Sequence, residues 1–468
     1  MKTCKVFAIA LCLLLAVCMT VMAGGGQDQG GVTTITVWSN DAHNKAEFDQ
    51  LIAAFNNGEG ARKNIKVEYS VYGADWNTAM NMAMETDRAP DMFKGFLNFE
   101  NFQEQGKFLP WTEISGIKDL LDAHAPYARN KNTHFKGVPY SIAMYGWFSG
   151  FHYNKDLLQR AGFSAPPRTW AEFEQQAIAI SRLAPNIYGY GIPLLWSPDF
   201  CHWVTEFAAT NSIGHMYWNY AEGRYNFAAF TEYFEMLSRI REANGIFPGM
   251  ESLSDDQLRA HFSAGNVGFI MGAGWNVGVL YEQFPFGGAN ASGAPRNPTG
   301  WDYAPLPVRD VNNVYAVPVS AGASYYVNAE VKNNRAKLRA MSDVIRLFCG
   351  DETQMLMFTA GKHVPLRPDI AAKAAPSERP QWTSYGRTVT RTVTMPSAPH
   401  NQLAVEGADR AAVIGQILTG QIPRANIRAA LTDLDRRMNA AFDQAVQRGI
   451  IKREDFIDPT FEQRLRAR

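Results

Sequence analysis

The order of apolar and polar residues along the chain predicts alternating strands and helices. Thr33 to Trp38 is rich in β-branched residues and predicts a strand. The next apolar residues share one helix face: Phe48, Leu51, Ile52 and Phe55. Residues 65–72 predict a second strand, so the order is strand, helix, strand. Such a βαβ unit predicts parallel pairing.

The same alternation continues to the end of the chain. Extended segments are predicted at 138–153, 188–193 and 267–271, and a helix at 170–183. Two further helix faces are formed by Leu338, Met341, Ile345 and Phe348, and by Ile427, Leu431, Leu434 and Met438. No fixed-period repeat is visible, which argues against a solenoid or a propeller. The pattern predicts an α/β protein with additional helices.

Composition restricts the class of protein further. The chain has 468 residues, enough for two to three domains, and its 45 basic residues balance its 45 acidic ones. This balance excludes a strongly basic nucleic-acid binder and a disordered acidic tail. Aromatic residues make up 12% of the chain, which is more than core filling requires in a chain this polar.

The first 23 residues have the pattern of an export signal. Lys2 and Lys5 precede an uncharged run, and Ala23 offers a small-residue cleavage site. An uncleaved membrane anchor and lipidation at Cys18 remain alternatives. Residues 24–31 are expected to form a linker. Removing residues 1–23 takes away two lysines and no acid, leaving 43 basic and 45 acidic residues.

Two cysteines remain after the export signal, Cys201 and Cys349. They cannot form a disulfide framework, although a single bridge is possible in an oxidising compartment. We expect two buried free thiols.

A long motif resembles a signature of the bacterial extracellular solute-binding proteins of family 1. It runs from Tyr153-Asn154-Lys155-Asp156-Leu157-Leu158 through Ala161-Gly162-Phe163 to Pro166-Pro167-Arg168-Thr169-Trp170-Ala171-Glu172-Phe173. Weaker matches occur in the family's order, at 35–38, 89–92, 106–110, 137–140, 262–275, 304–307 and 417–420. Thr169 is a good N-cap for the helix that begins at Trp170, so we expect this motif to be scaffold.

The resemblance implies a two-lobed, type II periplasmic-binding-protein fold with a ligand cleft between the lobes. The family contains maltose-binding protein and other sugar-binding subunits of ABC importers. The resemblance implies an N-terminal lobe formed by residues 32–144 and 322–362, and a C-terminal lobe formed by residues 145–321 and 363–468. It also implies a carbohydrate ligand, separate permease subunits, a periplasmic or extracytoplasmic location and no enzyme activity. We expect a monomer, with no cofactor, metal or nucleic acid.

Candidate ligand contacts come from two sources. Ligands of open α/β lobes bind beyond the carboxyl ends of the strands. This rule selects Trp38 to Asp41, including Asn40, the loop Gly95 to Asn98, and Trp275-Asn276. The resemblance selects Asn98, Trp147 and again Trp275, although the maltose binder has an acidic residue where this chain has Trp147. The remaining candidates are Tyr145 beside two glycines, a cluster of Trp196, Asp199 and Trp203, and Arg367.

Each candidate also has a structural alternative. Tyr145 and Trp147 could be core residues, the tryptophan cluster a packed surface turn, and Arg367 a surface arginine. The alternative ligands are a polyol phosphate, another anion or an iron complex. An exported glycan-active enzyme is the competing class, because Asp41 and Asp199 could form a carboxylate pair.

Overall fold

The protein is described by a computed structural model. It describes residues 31–72, 75–95, 99–126, 133–147, 149–195, 203–282, 300–323, 325–377, 379–389, 392–394, 396 and 398–466. The predicted export signal, Cys201 and the candidates Asn98, Trp196 and Asp199 lie outside these residues. The side chains of Trp147, Trp203 and Trp275 also lie outside the description.

Strands form at all the segments predicted to be extended, and at further positions that were not predicted. They are β1 Thr33–Ser39, β2 Ile65–Val71, β3 Met92–Lys94, β4 His134–Phe135, β5 Val138–Pro139, β6 Ala143–Trp147, β7 Gly150–Asn154, β8 Tyr188–Gly191, β9 Trp218–Asn219, β10 Arg224–Tyr225, β11 Val267–Gly272, β12 Trp301–Ala304, β13 Val317–Ala323, β14 Tyr325–Val327 and β15 Thr392–Thr394.

Helices separate most of these strands. They are α1 Lys45–Asn57, α2 Glu59–Lys63, α3 Trp76–Glu85, α4 Phe99–Glu104, α5 Lys118–His124, α6 Lys155–Arg160, α7 Trp170–Ser181, α8 Ala208–Ile213, α9 Thr231–Glu242, α10 Asp255–Ser263, α11 Gly274–Glu282, α12 Arg335–Cys349, α13 Asp351–Thr359, α14 Pro368–Lys373, α15 Pro380–Val389, α16 Arg410–Thr419, α17 Ile427–Gln447 and α18 Phe461–Arg466. A π-helical turn, Trp203–Phe207, precedes α8.

The first main sheet has the order β14-β3-β1-β2. β1 pairs in parallel with both β2 and β3, as the βαβ pattern predicted, while β14 is antiparallel to β3. α1 and α12 pack on this sheet through the predicted apolar faces, and the rings of Phe48 and Phe348 stack 5.0 Å apart. Cys349, at the end of α12, is a buried free thiol.

The second main sheet has the order β12-β7-β11-β8. β11 is parallel to β8, but β7 and β12 run antiparallel to their neighbours, so this sheet is mixed. Both faces are covered, because Phe269 belongs to one hydrophobic core and its neighbour Ile270 to another. Successive strand residues point to opposite faces of a sheet.

A third, smaller sheet joins the two main sheets. β6 pairs antiparallel with β13, and β13 pairs in parallel with β15. On its other side β6 is bonded to a third segment: Gly146 N–H donates to Val364 O, and Leu366 N–H donates to Met144 O. Three chain segments therefore run side by side between the two main sheets.

The start of α7 confirms the prediction that Thr169 is an N-cap. The Thr169 hydroxyl accepts a hydrogen bond from the Glu172 backbone N–H at 3.2 Å, and the Glu172 carboxylate accepts one from the Thr169 N–H. This reciprocal arrangement is a capping box, which satisfies two otherwise unpaired donors of the helix.

We expect Thr169→Ala to lower the free energy of unfolding by about 1 kcal/mol, because the helix loses a cap bond. Urea unfolding would measure it. Ser164→Ala, at an exposed residue of the same loop, is the control and should change stability by less than about 0.5 kcal/mol. Equal effects of the two substitutions would contradict the capping role.

Candidate functional site

Charged side chains lie where the strands of the first sheet end. The Asp41 carboxylate follows β1 and forms an ion pair with the Lys94 ammonium at the end of β3. Their side chains are only 10% and 14% exposed. The Ser39 hydroxyl accepts a hydrogen bond from the Asp41 N–H at 3.0 Å, which fixes the turn after β1. Asn40, between them, is exposed.

An aromatic row lies at the same strand ends. The half-buried Trp38 ring lies 4.8 Å from that of Tyr72, and Tyr72 lies 6.1 Å from Trp76. The Trp76 indole N–H donates to Gly95 O at 3.0 Å, tying helix α3 to the end of β3. This edge therefore combines an apolar platform with a carboxylate and an ammonium, the two kinds of group that a polyhydroxylated ligand contacts.

Tyr145 is buried in the third sheet. Its side chain is 8% exposed, and its ring stacks on His363 at 4.3 Å. The Asn44 amide donates to His363 Nε2 at 2.7 Å, and the adjacent Lys362 lies 3.4 Å from Glu47. The third connecting segment is thereby attached to the N-terminal end of α1.

Gly146 and Gly150 were expected to leave a core strand poorly filled, which favoured a cleft position for the neighbouring Tyr145, and this expectation was wrong. Those positions are filled: a Cβ on Gly146 would come within 2.6 Å of Val319, and one on Gly150 within 2.0 Å of the Tyr303 hydroxyl. Large neighbours from other strands occupy the space that the glycines leave. A ligand contact by Tyr145 stays a prediction, and it would require the buried ring to become accessible.

Arg367 is held by two carboxylates. Its guanidinium donates to Asp351 and Asp369 at 2.6–3.3 Å, and the side chain is 11% exposed. The paired aspartates raise its pKa through these hydrogen bonds. This arrangement is that of a structural ion-pair network, and a direct ligand clamp at Arg367 stays a prediction.

The second sheet contributes the turn between β11 and α11. Strand β11 is entirely buried and ends at Gly272, and helix α11 begins at Gly274. Trp275 therefore occupies the first turn of a helix that follows a strand end, as predicted. Asn276, the next residue, is 1% exposed.

The predicted tryptophan cluster extends into the π-helical turn. Trp203 begins this turn and Glu206 lies within it, 3% exposed. The Glu206 carboxylate accepts a hydrogen bond from the Tyr217 N–H at 2.6 Å. Burial raises the pKa of Glu206 to about 7, against smaller lowering effects of that bond and of Arg410.

Several residues of these sites were missed from the sequence. Lys94 lies one residue before the loop that the strand-end rule selected, because the end of β3 could not be located within one residue. Lys362, His363 and Glu206 carried no local motif. Pairing of acidic and basic side chains distant in sequence becomes visible only when the elements are assembled.

No helix in the described ranges is both long and apolar enough to cross a membrane. Among those same residues, no three His, Cys, Asp or Glu side chains are grouped so that they could hold a metal ion.

The chain belongs to the family of bacterial extracellular solute-binding proteins, whose sequence profile matches residues 27–341. A protein of Brucella abortus (strain 2308), named as a binding protein, is 25% identical over 166 residues, which are 35% of this chain and 39% of that protein. The match thus spans about two fifths of the length of the curated relatives.

Solved structures show the same fold over most of the chain. The GacH receptor of Streptomyces glaucescens GLA.O has a TM-score of 0.65 and 16% identity, covering 88% of this chain and 99% of that one. The cyclic alpha-maltosyl-1,6-maltose binding protein from Arthrobacter globiformis has a TM-score of 0.64 and 18% identity, covering 88% and 100%. The predicted two-lobed, type II binding-protein fold is thereby confirmed.

Glu206 should make the stability of the protein depend on pH. Its pKa is about 7 in the folded protein against 4.5 for an ordinary glutamate, so the folded state holds a proton that the unfolded state has lost. Its contribution to stability therefore falls as pH rises from about 4.5 to about 7, and is constant above. Glu206→Gln, which does not titrate, should gain stability relative to wild type between about pH 5 and pH 8.

Chemical denaturation at about pH 5 and about pH 8 would measure the difference in free energy of unfolding between Glu206→Gln and wild type. The control is Gln176→Leu, at a buried amide on α7 that does not titrate, whose difference from wild type should be the same at both pH values. A Glu206→Gln difference that does not change with pH would contradict the assignment.

Proposed function

We propose that the protein is the exported substrate-binding component of an ABC importer. It binds a sugar or oligosaccharide between its two lobes and delivers it to a membrane permease. The ligand contacts both lobes and therefore stabilises the closed arrangement over the open one by its differential affinity.

The observation that carries the proposal is the strand edge with Trp38, Tyr72, Asp41 and Lys94. A sugar ring has C–H faces that pack on aromatic rings and hydroxyls that both donate and accept hydrogen bonds. Asp41 accepts and Lys94 donates, and because they are paired the edge gains no net charge. This combination suits a neutral, hydroxyl-rich ligand.

Similar proteins support the same ligand class. Solved structures with this fold include a chitin oligosaccharide binding protein and the sugar-binding protein MalE of Xanthomonas citri, at 17% and 18% identity. Trp275 is proposed as the platform of the second lobe, because it stands at the strand end that faces a cleft in such folds. Trp147, Trp203 and the other predicted contacts are retained as candidates.

The proposed lobes are 32–144 with 322–362, and 145–321 with 363–468. The four strands of the first sheet fall in the first pair of ranges, and the four of the second sheet in the second pair, which supports the division. We propose that residues 1–23 direct export and that the protein is a monomer outside the cytoplasmic membrane. It is either free or lipid-anchored at Cys18.

A polyol phosphate is the second candidate ligand. It would require cations available to the phosphate group. Lys94, Lys362 and Arg367 each already have a carboxylate partner, which favours the neutral ligand. The competing class is an exported glycan-active enzyme, in which Asp41 would be one of the two carboxylates. Turnover of a glycan would distinguish such an enzyme from a binding protein.

A ligand panel tests the function directly. Protein lacking residues 1–23 is mixed with malto-, chito- and xylo-oligosaccharides, glycerol 3-phosphate and inorganic phosphate, and thermal unfolding is followed. A saccharide at about 100 times its Kd should stabilise the folded state by about 2.7 kcal/mol, because it binds that state alone. Binding of only the phosphates would overturn the sugar assignment, and release of glycan products would establish an enzyme.

Trp275→Ala should weaken binding of the best saccharide by about 1.5–4 kcal/mol, as loss of a central aromatic platform does. Isothermal titration calorimetry would measure it. Trp275→Phe is the matched variant: it keeps an aromatic face and should retain most of the affinity. Unchanged affinity in Trp275→Ala would remove Trp275 from the site.

A further inference from the structure

Trp76 is a buried tryptophan whose indole N–H has a partner at the edge of the first sheet. It is the first residue of α3 and is 3% exposed. The indole N–H donates to the backbone oxygen of Gly95 at 3.0 Å. By contrast, the buried indole N–H groups of Trp111, Trp170 and Trp382 have no hydrogen-bond partner among the described residues. The bond to Gly95 is therefore not a general consequence of burying a tryptophan in this protein.

Apolar packing fixes the position of Trp76. The side chains of Trp76, Met80 and Met84 are buried and share one face of α3. They belong to a hydrophobic core that also contains Phe93 of β3 and Tyr326 of β14. Because α3 is held on the sheet by this core, its indole N–H is a donor at a fixed position.

The hydrogen bond reaches the chain where β3 leaves the sheet. Lys94 is the last residue of β3, and it pairs with Tyr325 of β14. The described pairings of β3 end at Lys94 and do not include Gly95. The Trp76 N–H therefore holds the backbone at the point where the strand pairing ends. Lys94, whose ammonium pairs with the Asp41 carboxylate, is the adjacent residue.

The Trp76 ring also supports the aromatic platform. Tyr72 lies 6.1 Å from Trp76 and 4.8 Å from Trp38, measured between ring centroids. Trp38 and Tyr72 are partly buried and pack against the core that contains Trp76. One side chain is thus linked both to the backbone beside Lys94 and to the rings proposed to carry the ligand.

We propose that Trp76 is a positioning residue of the ligand site. Its N–H holds the end of β3 and with it Lys94, the partner of Asp41. Its ring holds Tyr72 against Trp38. Trp76 itself is too buried to contact the ligand. The hold on β3 follows from the hydrogen bond alone, whereas its effect on ligand binding rests on the function proposed above.

Hydrogen–deuterium exchange without ligand tests the hold on β3. In Trp76→Phe the Gly95 oxygen loses its donor, so peptides containing Lys94 and Gly95 should exchange about 10-fold faster than in wild type. Trp111→Phe is the matched control, because Trp111 is fully buried in another core of the same lobe and its N–H has no described partner. It should leave exchange in these peptides within about 2-fold of wild type. Equal acceleration by the two substitutions would overturn the hold.

A second variant isolates the N–H from the size of the ring. Replacing the Trp76 indole by benzothiophene, as 3-benzothienylalanine, keeps the shape of the ring and removes only the donor. It should accelerate exchange in the peptides containing Lys94 and Gly95, as Trp76→Phe does. Exchange at the wild-type rate in this variant would overturn the role of the hydrogen bond.

Calorimetry tests the positioning role, with the malto-, chito- or xylo-oligosaccharide that binds wild type. Trp76→Phe should raise its Kd about 10-fold, whereas Trp111→Phe should leave it within about 2-fold. Equal changes in Kd would overturn the role, as would a crystal structure in which the Trp76 ring touches the bound saccharide. If wild type binds none of these saccharides, the proposed function fails, while the exchange experiment still decides whether Trp76 holds the end of β3.

Discussion

The pairing of β6 with its two neighbours is the constraint on which the arrangement of the two sheets depends. The chain passes between the sheets along β6, along β13 and along residues 364–366, and backbone hydrogen bonds hold these three segments side by side. Short hydrogen-bonded connections limit the motion of two lobes to bending or rotation about them. The strand ends of both sheets can then approach each other without either sheet being rebuilt.

The same region explains why several polar residues are buried. His363 stacks on Tyr145 and is hydrogen-bonded to Asn44, and Lys362 lies beside Glu47. These contacts attach the third segment to helix α1, which follows the turn that contains Asp41. A movement of the turn that contains Asp41 would therefore be passed through α1 to the connecting segments. No single local motif indicates this link.

Some tryptophans are enclosed in a hydrophobic core, whereas Trp38 is partly exposed. Trp301 and Trp382 are almost fully buried and belong to one hydrophobic core. The phenylalanines on the apolar faces of α1 and α12 belong to another core. Trp38 remains half-buried at a strand end, on the same edge of the sheet as the Asp41–Lys94 ion pair. An aromatic residue kept partly exposed next to polar groups is available to a ligand, while one enclosed in a core is not.

The sequence by itself determined the local elements and the family. Residue patterns predicted β1, β2 and α7 to within two residues at each end, and the apolar faces of α1 and α12, because the pattern follows directly from which face each element buries. The capping box at Thr169 was predictable because its two partners are three residues apart. Only the tertiary structure decided the mixed pairing of the second sheet, the partners of Lys94 and Arg367, and the filling of Gly146 and Gly150 by distant side chains. Such contacts join residues from remote parts of the chain, and neither propensity nor periodicity specifies them.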